Sequence, residues 1–180
     1  MEVEKTLIDG LLILHPHVFR DNRGCFFESY NEKVFHQLGL SVHFVQENQS
    51  ISAKNVVRGL HLQAPPFAQG KLVRVVKGAA VDFAVDIRKN SPTYGKYVSV
   101  LLTEENHTQF WIPEGFAHGF VAKEDDTTFV YKTTNFYDKS SEMAIRWNDK
   151  TLHIDWQVEH PIVSEKDAQN IDFVDFISPF

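Results

Sequence analysis

A chain of 180 residues is long enough for one sizeable core and too short for two comfortable ones, so a single domain spanning 1–180 is expected. Hydrophobic residues at 43% and charged residues at 23% exclude disordered and fibrous classes. The formal net charge of -6, with no run of like charges and no apolar run near the roughly 20 residues of a membrane helix, argues against nucleic-acid and membrane partners.

Short runs rich in Val, Ile, Phe and Tyr recur between Gly, Pro, Asn and Asp, the spacing of an all-β sandwich or barrel. In chain order, the acidic start "MEVEK" is not that of a signal peptide, and a first strand is expected over 24–30. It holds Cys25, the only cysteine, which permits no intrachain disulfide and suits a reducing, cytoplasmic setting; it reads as a small, partly buried thiol. "NEKVFHQLG" reads as a helix capped by Asn31 and stopped by Gly39. Strands follow over 42–50, 55–62, 71–77, 79–88, 96–103, 107–112, 117–122, 127–133 and 143–147. "SEKDAQN", capped by Ser164, is a second short helix, and the apolar tail "FVDFISPF" is expected to pack on the domain or on a partner subunit.

In "KGAAVDFAVDIR", Val81, Phe83, Val85 and Ile87 share one face, which is core. Asp82, Ala84, Asp86 and Arg88 share the other, which either meets solvent or lines a cavity.

"VVRGLHLQ" carries Arg58, His61 and Gln63 among aliphatic residues, and His61 can be read as a core histidine, a metal ligand or a base. A metal in a small β-barrel wants two histidines on alternate strand positions, and here position 63 is Gln. "IPEGFAHGF" keeps the later P-x-G-x-x-H half of that signature with His118, so the metal pattern is broken and no metal is expected. Imidazole titrates near neutral pH and serves as a base when a carboxylate orients it. Strict alternation puts Gln63 on the face of His61 but Arg58 on the other, so a bulge at Gly59 is expected to bring Arg58 round. Lys71 follows after the turn-forming "APPFAQG". Arg23 and Glu28, Gln46 and Asn48, and Tyr131 and Tyr137 repeat the same polar mixture on other segments, and together they fit a pocket lined from several sides, with Arg and amide groups suited to phosphate and base.

"DNRGCFFESYN", "FVQENQS", "VVRGLHLQ", "QGKLVRVVKG", "VDIRKNSPTYGKY", "IPEGFAHGF", "YKTTNFY" and "IRWND" resemble, in order and over nearly the whole chain, the dTDP-4-dehydrorhamnose 3,5-epimerase family. The resemblance implies a cupin-type jelly-roll that uses neither metal nor organic cofactor. It implies a homodimer in which N-terminal strands are exchanged, and a dTDP-linked 4-keto-6-deoxyglucose inverted at both carbons flanking the ketone on the route to dTDP-L-rhamnose. Carried over to this chain, it implies His61 as proton acceptor, Asp167 as the carboxylate that orients it, Tyr131 as proton donor and Lys71 as stabiliser of the enolate oxygen. It further implies Arg58 and His118 in the same pocket, Arg23, Glu28, Gln46, Glu47 and Asn48 at the nucleotide, Glu142 and Lys166 at its margin, and Tyr137 against the pyrophosphate or base. Leu62 stands where relatives often have an aromatic residue and Cys25 where many have another apolar one. A single-position epimerase of another deoxysugar pathway, a non-catalytic sugar-nucleotide binder and a ketoisomerase on the same scaffold are the competing readings.

Overall fold

The computed structural model describes residues 1–180, and in it two mainly antiparallel sheets lie face to face. One sheet runs, edge to edge, through β1 (Glu2–Lys5), β2 (Leu12–His15), β10 (Gln109–Ile112), β7 (Lys71–Lys77), β12 (Thr127–Thr133) and β5 (Gln46–Ser52). The other runs through β13 (Glu142–Ala144), β6 (Val56–Gln63), β11 (Phe116–Ala122), β8 (Ala79–Asp86) and β9 (Tyr97–Thr103), with β14 (Ile162–Val163) added parallel to β6. From β5 to β12 the chain passes repeatedly from sheet to sheet, which is the winding of a jelly roll. A separate hairpin of β3 (Phe19–Asp21) and β4 (Gly24–Phe26) precedes the helix α1 (Glu32–Gln37); α2 (Glu165–Ala168) lies near the C-terminus. No helix is long and apolar enough to cross a membrane.

The alternating residues of β8 find two different interiors. Val81, Phe83, Val85 and Ile87 point away from the facing sheet and pack beneath Ile145, Leu152, Trp156, Phe173 and Phe176, so the C-terminal third of the chain roofs this sheet. Ala80 and Ala84 point the other way, into a core between the sheets shared with Val73, Phe110, Phe120 and Phe129. The face left open in the sequence, that of Asp82, is therefore an inner wall and not a solvated surface. Burying each large apolar side chain stabilises by roughly 1.5–3 kcal/mol, so both layers contribute to holding that wall. The apolar tail packs on its own domain: Phe173 and Phe176 are buried, and the Ser178 hydroxyl donates to the carbonyl of Ile87.

The expected bulge is present. His118 pairs with His61 and Phe120 with Arg58, so two steps on β11 match three on β6. Val57, Leu60 and Leu62 consequently all reach the outer core, leaving Arg58, His61 and Gln63 on the inner face. Gly59 has φ +145°, and a Cβ there would sit 2.7 Å from the Cα of Gly119, so only glycine fits.

Both helices begin where their caps predict. Asn31 Oδ1 accepts from the amides of Lys33 and Val34 at 3.0 and 3.3 Å, and Ser164 Oγ accepts from the amide of Asp167 at 3.1 Å. Three strand expectations need correction, one of them being that over 143–147, which ends at Ala144. The first strand stops at Phe26 instead of residue 30, and the strand expected from 42 begins only at Gln46. The intervening aromatics are used differently: Phe27 stacks on His107, while Tyr30 and Phe44 meet Phe35 edge-on around α1. β1, β2 and β3 were not anticipated at all. Cys25 is exposed on the hairpin, not partly buried, because β3 and β4 pair only with each other.

Candidate active site

A cavity of about 260 Å³ opens between the sheets. Its walls bring together Arg58, His61, Lys71, His118, Tyr131, Tyr137 and Glu142, seven of the residues proposed from sequence. The two sheets contribute opposite walls: β6 and β11 present His61, Arg58 and His118, and β7 and β12 present Lys71 and Tyr131.

His61 Nε2 lies 2.6 Å from Asp167 Oδ1, a short hydrogen bond of the charge-assisted kind. Asp167 reaches it because the Ser164 cap starts α2 at the right height, and its second oxygen accepts from the Gly59 amide at 3.4 Å. Burial pushes the Asp167 carboxyl up, but the bond and charge of His61 outweigh it and hold the group below its usual range, so it stays ionised. With Nε2–H donated to Asp167, the imidazole keeps its lone pair at Nδ1 for an incoming proton.

A second histidine–carboxylate pair sits deeper. His118 Nε2 is 2.8 Å from Asp82 Oδ2, and both residues are buried. Burial lowers the His118 pKa and raises that of Asp82. Lys71, buried beside them, is pulled down by burial to about 8, with the charge of Asp82 opposing the shift. Tyr131 is pushed up by burial, against the pull of Asn48 and Arg58, so its hydroxyl keeps its proton. Phe120 and Phe129, stacked at 4.2 Å, give the cavity an apolar floor. The arrangement can take a proton on one wall, return one from the other, and meet negative charge with Lys71 between them.

Other proposed residues lie around or away from this cavity. Glu142 joins Tyr137 to Lys166: the Tyr137 hydroxyl donates to it at 3.2 Å and Lys166 Nζ at 2.7 Å. Gln46 and Asn48 share the inner face of β5 and bond each other at 3.0 Å. Glu47 points to the opposite face and pairs with Lys132, so the structure does not bring it to the cavity. Nor does it bring Arg23, which bonds Asp21 within the hairpin, or Glu28, which accepts from Asn31 at 3.0 Å. Sequence reading passed over Ser50, whose buried hydroxyl has no protein partner on the cavity wall, and did not identify Asp82, whose face period-two alternation had left open between solvent and a cavity.

A two-sheet jelly roll with His61 and Tyr131 on opposite walls of an inter-sheet cavity is the arrangement of the cupin-type epimerases. The family model described as dTDP-4-dehydrorhamnose 3,5-epimerase matches residues 5–175, and the chain belongs to that family. A dTDP-4-dehydrorhamnose 3,5-epimerase of Shigella flexneri is 56% identical over 176 residues, covering 97% of each chain. The crystal structure of dTDP-6-deoxy-D-glucose-3,5-epimerase from Legionella pneumophila in complex with dTDP-4-keto-L-rhamnose is 44% identical with a TM-score of 0.94, covering 98% of this chain and 94% of that one. The enzyme from Bacillus anthracis with TDP and PPi bound is 42% identical with a TM-score of 0.93, covering 96% and 99%.

Proposed function

We propose that the chain inverts a dTDP-linked 4-keto-6-deoxyglucose at the two carbons flanking its ketone, using His61 as base and Tyr131 as acid. The observation that carries this reading is that His61, backed by Asp167, and Tyr131 come from opposite sheets onto one cavity. The ketone acidifies both neighbouring C–H bonds. Nδ1 of His61 takes the proton from one face, the electron pair moves into the ring to form an enolate, and the negative charge collects on the former ketone oxygen. Lys71 stabilises that oxygen electrostatically. Tyr131 then delivers its proton to the opposite face of the same carbon; the His61 imidazolium gives its proton up to solvent and the Tyr131 phenolate takes one back, after which the sequence repeats at the second carbon. Asp167 keeps the imidazolium oriented throughout, and Arg58, held by its bond to Ser52 at 3.2 Å, adds positive charge at the pocket.

Gln46, Asn48 and Tyr137 bind the nucleotide in this reading, with Glu142 and Lys166 at its margin. Arg23 and Glu28, which lie on or beside a hairpin distant from the chain's own cavity, complete the site of a second copy in an exchanged homodimer. The hairpin's exposed Phe19 and Phe26 support that pairing. The single thiol Cys25 is in keeping with a reducing, cytoplasmic setting. The test is turnover of dTDP-4-keto-6-deoxyglucose in deuterated water with the product followed by NMR. Deuterium at both flanking carbons, with both inverted, is the expected result; label and inversion at one carbon alone would transfer the chain to the single-position epimerases.

A further inference from the structure

The residue that broke the metal signature has a different task. Gln63 is buried, and its side-chain amide makes two bonds to one residue: Oε1 accepts from the Asp138 amide at 2.8 Å, and Nε2 donates to the Asp138 carbonyl at 3.0 Å. Both halves of the amide of Gln63, which stands two positions from His61 on the same strand, are thereby spent on the main chain of Asp138.

The segment it grips is the one that carries Tyr137. The Tyr137 amide donates to Gln46 Oε1 at 3.1 Å, and Gln69 Nε2 donates to the Asn135 carbonyl at 2.8 Å. The Tyr137 hydroxyl is tied to Glu142, which is the strand partner of Gln63 in the β13–β6 pair. Tyr137 is thus fixed on both sides along the backbone and at its tip, while its ring remains half exposed at the cavity. Such a preset ring meets a planar or anionic ligand without first paying the entropy of ordering the loop.

We infer that Gln63 is a positioning residue for nucleotide binding, coupling the strand that presents His61 to the loop that presents Tyr137. This rests on the reading of Tyr137 as a nucleotide contact. A glutamine at this place in the strand reads a peptide group, where a histidine would offer a lone pair.

The experiment is a double-mutant cycle of Gln63→Ala and Tyr137→Ala in the full-length enzyme, read as the Kd for dTDP by calorimetry and as KM and kcat with the dTDP-sugar. Each single change is expected to raise Kd and KM by about tenfold with kcat altered less than about threefold, since uniform binding is what is lost. The double variant is expected to bind dTDP no more weakly than Tyr137→Ala alone. If the two effects multiply instead, Gln63 does not act through Tyr137 and the inference fails while the nucleotide reading stands. If Tyr137→Ala binds dTDP as the unaltered enzyme does, the nucleotide reading fails and takes the inference with it. Should Gln63→Ala not fold, Gln63→Glu replaces it in the cycle: it is isosteric and keeps the acceptor for the Asp138 amide, but turns an acceptor oxygen towards the Asp138 carbonyl, and the same outcomes apply.

Discussion

Two histidines face the same cavity with carboxylates at similar distances, yet burial separates their tasks. His61 is partly open and its carboxylate lies on the side away from the cavity, whereas His118 is sealed with Asp82 beside the buried ammonium of Lys71. In the proposed reaction the charge state of Lys71 sets the upper end of the pH range. Its pKa falls from 10.5 to about 8 through burial, so the ammonium to which the proposed reaction assigns enolate stabilisation is lost as pH rises through about 8. kcat/KM is expected to fall above that pH, and the fall to disappear in Lys71→Arg, whose guanidinium stays charged, even though its absolute rate is lower. An unaltered alkaline limb in Lys71→Arg would assign it to another group. The same shift has a stability consequence of opposite sign: the unfolded chain holds this proton more tightly, so between about pH 8 and 10.5 the group favours the folded state increasingly as pH rises. Asp82 shows where reading residues in sequence reaches its limit. Alternation set it opposite the core face, which left solvent and a cavity both open, and its partner His118 lies 36 residues further on, so nothing local announces the pair. Glu47 is the converse, because the same alternation already separates it from Gln46 and Asn48.

At the scale of elements, β6 carries the site. Its bulge brings Arg58 onto the inner face beside His61 and Gln63 while Val57, Leu60 and Leu62 stay in the outer core, and Gly59 is the hinge of that change. Gly59→Ala would place a methyl 2.7 Å from the Gly119 backbone at a φ that L side chains rarely adopt. A loss of about 1–3 kcal/mol in folding stability is expected from such a residue, measured by denaturant unfolding, with turnover falling further because His61 leaves Asp167. A variant that melts normally and turns over normally would mean that the bulge does not position the base. This bulge was legible because Arg58, His61 and Gln63 cannot share a face under strict alternation. β1 and β2 were not, since each has only four residues and β2 pairs with β10, nearly a hundred positions away. The aromatics at 27–30 and 42–45 imitate strand composition, but Phe27 stacks on His107 while Tyr30 and Phe44 cluster around α1 and Trp111.

On the scale of the whole molecule, the β3–β4 hairpin is the part that its own fold leaves uncovered. It stands as a separate two-stranded sheet with Phe19 and Phe26 exposed and Arg23 bonded only within it. In an exchanged dimer these side chains would be buried against the second copy, so Phe26→Ser is expected to shift the enzyme towards monomer in sedimentation and to weaken dTDP binding together. A dimer that persists with unchanged affinity would remove the hairpin from the interface. The central claim, however, is that His61 removes the proton. It is tested most directly by replacing His61 with Asn and following solvent deuterium entry into dTDP-4-keto-6-deoxyglucose by NMR. The account predicts that exchange at both carbons flanking the ketone falls by at least the roughly 10²–10⁴-fold that a positioned general base contributes, while dTDP still binds; exchange at the unaltered rate in that variant would contradict it.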